Sequence, residues 1–120
     1  MIPTFETHTK PLTDYELTAL VPVIILGLRH HKGSARAITS SKICKRLTEK
    51  GYRINDVTLR RCIKHIQKNQ LLNWVVATGN GFFYTDDIRV VMDQIESLRG
   101  REEAIRAVRI ALESSLQKVS

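Results

Sequence analysis

Residues 55–85, NDVTLRRCIKHIQKNQLLNWVVATGNGFFYT, decide the fold. The first half carries a helical period. Asn55 is placed to cap a helix running from Asp56 to about Asn69. At about 100° per residue, Leu59, Cys62, Ile63 and Ile66 share one arc, while Arg61, Lys64 and Lys68 point the other way, flanked by Arg60 and His65. The second half has strand composition. Trp74-Val-Val-Ala-Thr78 and Phe82-Phe-Tyr-Thr85 flank Gly79-Asn80-Gly81, and an Asn-Gly pair between β-rich runs predicts a hairpin.

Working upstream, Gly51 is placed to end a second helix over 40–50. Thr39 caps this helix, Ile43, Cys44 and Leu47 line its inner side, and Lys42, Lys45 and Arg46 lie mostly away from that side. Ala37-Ile38 has the character of a very short strand. Thr13-Asp-Tyr-Glu16 fits a capping box, with Leu12 as hydrophobic staple, opening a largely apolar helix from Asp14 to about His31 that stops at Gly33. Pro22 inside it predicts a kink or a split. Residues 1–12, with Pro3 and Pro11 and no periodicity, read as a flexible arm. Downstream, Asp86 or Asp87 caps a long last helix within a C-terminal extension, 86–120, assigned to the same compact domain. Gly100 marks a weak point in that helix rather than a boundary. The resulting class is mostly α with one small β-hairpin.

Charge narrows the function. Nineteen Lys/Arg against twelve Asp/Glu give the 120-residue chain a net +7. Twelve of those bases and only two of the acids, Glu49 and Asp56, fall between Arg29 and Lys68. One basic segment in an otherwise mildly acidic chain points to a polyanionic partner. Other classes fall away. No run approaches the roughly 20 apolar residues of a membrane span, and the N-terminus lacks a secretory pattern, so a cytoplasmic protein is expected. Cys44 and Cys62 are too few for a disulfide framework, and with His65 they supply no fourth zinc ligand. His30-His31 suits a helix C-terminus better than a metal. No Ser/His/Asp set, glycine-rich phosphate loop, HExxH motif or paired carboxylates appear, so neither an enzyme nor a cofactor is expected.

The segments AITSSKICKRL, GYRINDVTLRRCIKHIQKNQLL and NWVVATGNGFFYT, in that order, resemble the winged helix-turn-helix domain over residues 13–85. The motif GREEAIRAVR after the hairpin is similar to small phage and prophage winged-helix proteins. The resemblance implies a non-enzymatic binder of double-stranded DNA, a transcriptional regulator or mobile-element accessory, whose third helix enters the major groove. It assigns Arg60, Arg61, Lys64 and Lys68 to phosphates or base edges, with Arg61 the foremost base reader. Thr58 and His65 add polar contacts, and Lys42, Lys45 and Arg46 position the backbone. Asn80, between the N–H groups of Gly79 and Gly81, meets a phosphate at the tip of the wing. That tip lacks the Arg or Lys of many DNA-reading wings.

Two other features bear on partners. Trp74, Phe82, Phe83 and Tyr84 offer stacking platforms for single-stranded bases, although alternation assigns part of the set to the core. In the last helix Leu98, Ile105, Leu112 and Val119 recur every seven residues, with mixed companions Arg101, Val108 and Ser115. Arg99/Glu103, Glu102/Arg106 and Arg109/Glu113 are spaced for i,i+4 pairs. The stripe suits a homodimer seam or packing back on the first helix. The alternative function is a winged-helix protein–protein adaptor acting through that helix.

Overall fold

The capping box forms as its sequence predicts. The Thr13 N–H donates to Glu16 Oε1 at 3.0 Å, and the Glu16 N–H donates to Thr13 Oγ1 at 3.2 Å. In the computed structural model, which describes residues 10–119, the helix so opened starts at Asp14 and widens into a π turn, Glu16–Leu20. It then continues as α1, Val21–Leu28. Pro22 therefore neither splits nor ends the helix. The Val21 N–H reaches back five residues to the Glu16 carbonyl, and the wider turn accommodates a proline that has no N–H to give. Leu20, Ile24 and Leu28 are buried along its length.

α1 stops three residues short of the expected end because residues 31–33 are recruited by the hairpin. The Tyr84 N–H donates to the His31 carbonyl at 3.0 Å and the Gly33 N–H to the Tyr84 carbonyl at 2.9 Å. A single 3₁₀ turn, Ser34–Arg36, leads to Ile38, which exchanges both backbone bonds with Phe82 at 2.9 and 2.8 Å. The expected short strand is thus one bridging residue.

α2 spans Ser40–Glu49 and α3 Asp56–Lys68, each capped as predicted: Lys42 N–H to Thr39 Oγ1 at 3.3 Å, and Thr58 N–H to Asn55 Oδ1 at 2.8 Å. Gly51 takes φ +95, and the Tyr52 N–H closes the α2 terminus on the Leu47 carbonyl. β1, Trp74–Thr78, pairs antiparallel with β2, Gly81–Thr85, in the register Val75↔Tyr84 and Ala77↔Phe82. The turn is Gly79-Asn80, and the positive φ, +119, falls one residue later on Gly81. A Cβ there would stand 2.3 Å from the Ile38 carbonyl oxygen, so the position admits only glycine.

Leu59, Cys62, Ile63 and Ile66 of α3 meet Leu20, Ile24 and Leu28, with Val75 and Phe82 closing the core from one hairpin face. Val76 and Phe83 pair across the opposite face and are buried there too. Of the hairpin aromatics only Trp74 is well exposed, at 43%, which removes Phe82 and Phe83 as stacking platforms.

The last helix, α4, is Ile88–Val119, and the Asp87 carboxylate accepts the Arg89 N–H near its start. Gly100 does not interrupt it. The structure divides between Asp86 and Asp87 into two units. Within the second unit α4 has no buried side chain. Of the expected ion pairs Arg109–Glu113 forms, whereas Arg99 turns to Glu96, at 3.4 Å, rather than to Glu103. Of the described residues, 66% are helical. Its order of three helices, hairpin and long helix is compatible with a winged helix. Among the described residues no helix is long and apolar enough to cross a membrane. Of the expected arm, residues 1–9 lie outside the described range, while Leu12 packs against the core and the Pro11 carbonyl accepts from Arg61.

Candidate nucleic-acid interface

α3 presents its apolar arc to the core, so its opposite arc is committed to solvent. Val57, Lys64 and Lys68 occupy the middle of that outer arc and are exposed. Among the described residues neither lysine has an acidic partner within ion-pair distance. Arg60 flanks them on one side. Its Nε donates to Asp56 Oδ2 at 2.8 Å, and its guanidinium lies 6.0 Å from the Phe82 ring centre, toward the hairpin. Arg60, together with the Ser40 hydroxyl, holds the Asp56 carboxyl below its ordinary range.

Arg61 flanks them on the other side and turns inward. Its Nη1 donates to Glu16 Oε2 at 3.2 Å, and Nη2 lies 3.2 Å from Oε1 and donates to the Pro11 carbonyl at 3.0 Å. Glu16 is only 7% exposed. This corrects the expectation that Arg61 points outward with Lys64 and Lys68: a buried carboxylate 45 positions earlier claims its guanidinium. Arg61 clamps α3 to the first helix.

Thr58 is half-buried and lines a recess with Tyr15, Glu16 and Arg53, off the lysine stripe. His65 is half-buried too, with the Asn69 amide against its ring nitrogen at 3.3 Å. At the hairpin tip Asn80 is exposed, but its N–H already donates to Thr78 Oγ1 at 3.3 Å.

The three α2 bases diverge. Lys42 and Arg46 border clefts shared with His30 and His31, the more apolar one about 320 Å³, whereas Ser40 and Cys44 on the other flank interact with Asp56 of α3. Only Lys45 stands clear of these two flanks. Lys32, also within the basic segment, bonds Asp86 at 3.0 Å at the hairpin base, which raises the lysine and lowers the carboxyl. The basic segment is therefore not one patch. Three of its twelve bases, Lys32, Arg60 and Arg61, are paired with acids, and four others, Arg36, Lys42, Arg46 and Lys50, line separate clefts.

Two further residues were not singled out by the sequence. Val57 is 67% exposed near the N-terminus of α3, and its place on the outer arc was legible from helical spacing. Arg53 lies with its guanidinium 4.8 Å from the Tyr15 ring centre while its N–H donates to the Tyr15 hydroxyl at 2.8 Å. Nothing local in the sequence pairs positions 15 and 53.

The cysteines do not form a reactive or metal-binding set. Burial pushes the Cys62 thiol up to about 11, with the Glu16 charge adding to the shift and Arg61 opposing it. Burial also raises Cys44. Among the described residues no three His, Cys, Asp or Glu side chains are grouped to hold a metal ion. No family model, no curated protein and no solved structure matches the chain.

Proposed function

We propose that the outer arc of α3 binds the phosphate backbone of duplex DNA, the chain serving as a small winged-helix DNA-binding protein. The observation that carries this reading is the pair Lys64 and Lys68, exposed and without acidic partners among the described residues, on a helix whose buried arc fixes their direction. A cation already neutralised within the fold gains little from a phosphate, whereas an unpaired one releases a counterion. Arg60 contributes once it exchanges Asp56 for a phosphate, and Lys45 adds a fourth contact. Val57 suits an apolar contact with a thymine methyl, at the end of the helix where major-groove readers touch bases.

The test is fluorescence anisotropy with a random duplex and its single strand, titrated across salt. Four phosphates give a log–log salt slope of about −3.6 per chain for the duplex. Lys64→Ala and Lys68→Ala each flatten that slope by about 0.9 and leave the melting temperature unchanged. Preference for the single strand moves the site toward Trp74, and absence of binding at low salt refutes the reading. The exposed apolar side chains of α4 favour a second reading, a protein–protein adaptor, in which activity survives the two lysine substitutions.

A further inference from the structure

α4 is 32 residues long, about 48 Å, and buries none of them. Its apolar side chains follow a stricter rule than a seven-residue recurrence. Positions 88, 91, 95, 98, 102, 105, 109, 112, 116 and 119 alternate steps of three and four, the a and d sites of a heptad. Every d site is apolar, from Val91 to Val119, with Leu98, Ile105 and Leu112 between them. The a sites are Ile88, Ile95 and Leu116 at the ends, with Glu102 and Arg109 in the middle. Ile95, Leu98, Ile105, Leu112 and Leu116 are 44% to 71% exposed, so the seam is uncovered.

The two charged a sites identify what covers it. We infer that α4 pairs with α4 of a second copy of this chain, antiparallel and in full overlap. In a parallel pair each a site meets its own copy, which sets Glu102 against Glu102 and Arg109 against Arg109 inside the seam. Like charges held together away from water are strongly disfavoured. In an antiparallel pair a sites meet d sites instead. Full overlap then sets Ile88 against Val119 and Ile95 against Leu112 of the other copy, so the ends of the helix match and the whole apolar series is used.

Both like-charge contacts disappear in that arrangement. Glu102 meets Ile105, Arg109 meets Leu98, and Glu102 of one copy falls within about 6 Å, along the axis, of Arg109 of the other. That is within reach of an arginine side chain. Arg109 already reaches outward to Glu113 of its own helix, which keeps its guanidinium at the rim of the seam while its stem packs. The flanking sites do not choose between orientations. Arg106 faces Arg99 across an antiparallel pair and Arg101 across a parallel one, so each arrangement carries one Arg–Arg contact. The charges within the seam decide.

Sedimentation equilibrium of the full chain is expected to give twice the 13.7 kDa monomer mass. Orientation is read by short bismaleimide cross-linking in a Cys44→Ser background, where the remaining Cys62 is wholly buried. Leu112→Cys protein alone is expected not to cross-link, because its two thiols lie about 26 Å apart along an antiparallel pair. Mixed with Ile95→Cys protein, it is expected to give the cross-linked heterodimer. A monomer at high micromolar concentration overturns the inference, and so does self-cross-linking of Leu112→Cys, the signature of parallel pairing. Neither result depends on DNA: a chain that pairs in this way and binds no duplex leaves this inference standing and removes the function proposed above.

Discussion

Replacing Arg61 with Ala removes two contacts to Glu16 and one to the Pro11 carbonyl, and leaves a carboxylate that is only 7% exposed with the Thr13 N–H as its remaining partner. Breaking a fully buried ion pair from one side costs about 3–5 kcal/mol. The Arg61 side chain is 30% exposed, so water already shares its charge and the loss is discounted to about 2–3 kcal/mol. For a folded unit of this size that lowers Tm by about 10–20 °C. The assay is thermal unfolding followed by the fluorescence of Trp74, which reports on the hairpin unit and not on α4. Lys64→Ala is the control, with an expected change within about 0.5 kcal/mol, since Lys64 is exposed and unpaired among the described residues. Glu16→Gln in the Arg61→Ala background is expected to recover part of the loss, because it removes the stranded charge. If Arg61→Ala melts within about 2 °C of the parent chain and yet abolishes duplex binding, the clamp reasoning fails and Arg61 belongs to the interface.

Gly81→Ala drives a methyl group to 2.3 Å from the Ile38 carbonyl oxygen at a φ of +119, and is expected to cost about 2–4 kcal/mol, read by urea denaturation. In the folded chain Ellman's reagent at pH 8 is expected to modify half-buried Cys44 first and to reach Cys62 only on unfolding. The Cys62 thiol, raised to about 11, stays neutral when folded. Its contribution to stability is therefore full below the ordinary thiol value of 9.0 and is lost as pH rises through about 11, so urea midpoints decline over that window.

Much of the backbone was legible because its signals are local. The Thr13–Glu16 box, the Thr39 and Asn55 caps, the Gly51 terminus and the hairpin each depend on residues within a few positions of one another, and each formed where expected. The site was less legible because side-chain direction is settled by partners distant in sequence. A helical wheel places Arg61 outward beside Lys64, and no local pattern discloses that Glu16 is buried against it. The wheel likewise separates Lys42 and Arg46 from the inner face of α2 without showing that the cleft beside them is walled by α1. Alternation underestimated the hairpin, whose Val76 and Phe83 are buried on the face opposite the core. The π turn ahead of Pro22 was also hidden, since proline announces a missing donor but not how the helix accommodates it.

Ile38 and Phe82 share both backbone bonds, and the next residue, Thr39, caps α2. Ser40 then bonds Asp56, Asp56 holds Arg60, and the Arg60 guanidinium returns to the Phe82 ring. These contacts close into a circuit linking the hairpin, the start of α2 and the start of α3. A circuit tolerates one break. When a ligand draws Arg60 away from Asp56, the covalent step from Ile38 to Ser40 still ties the hairpin to α2, and the Ser40 bond still ties α2 to α3. In the proposed DNA complex such an exchange would involve one arginine side chain, while the backbone and Ser40 ties among the hairpin, α2 and α3 would remain.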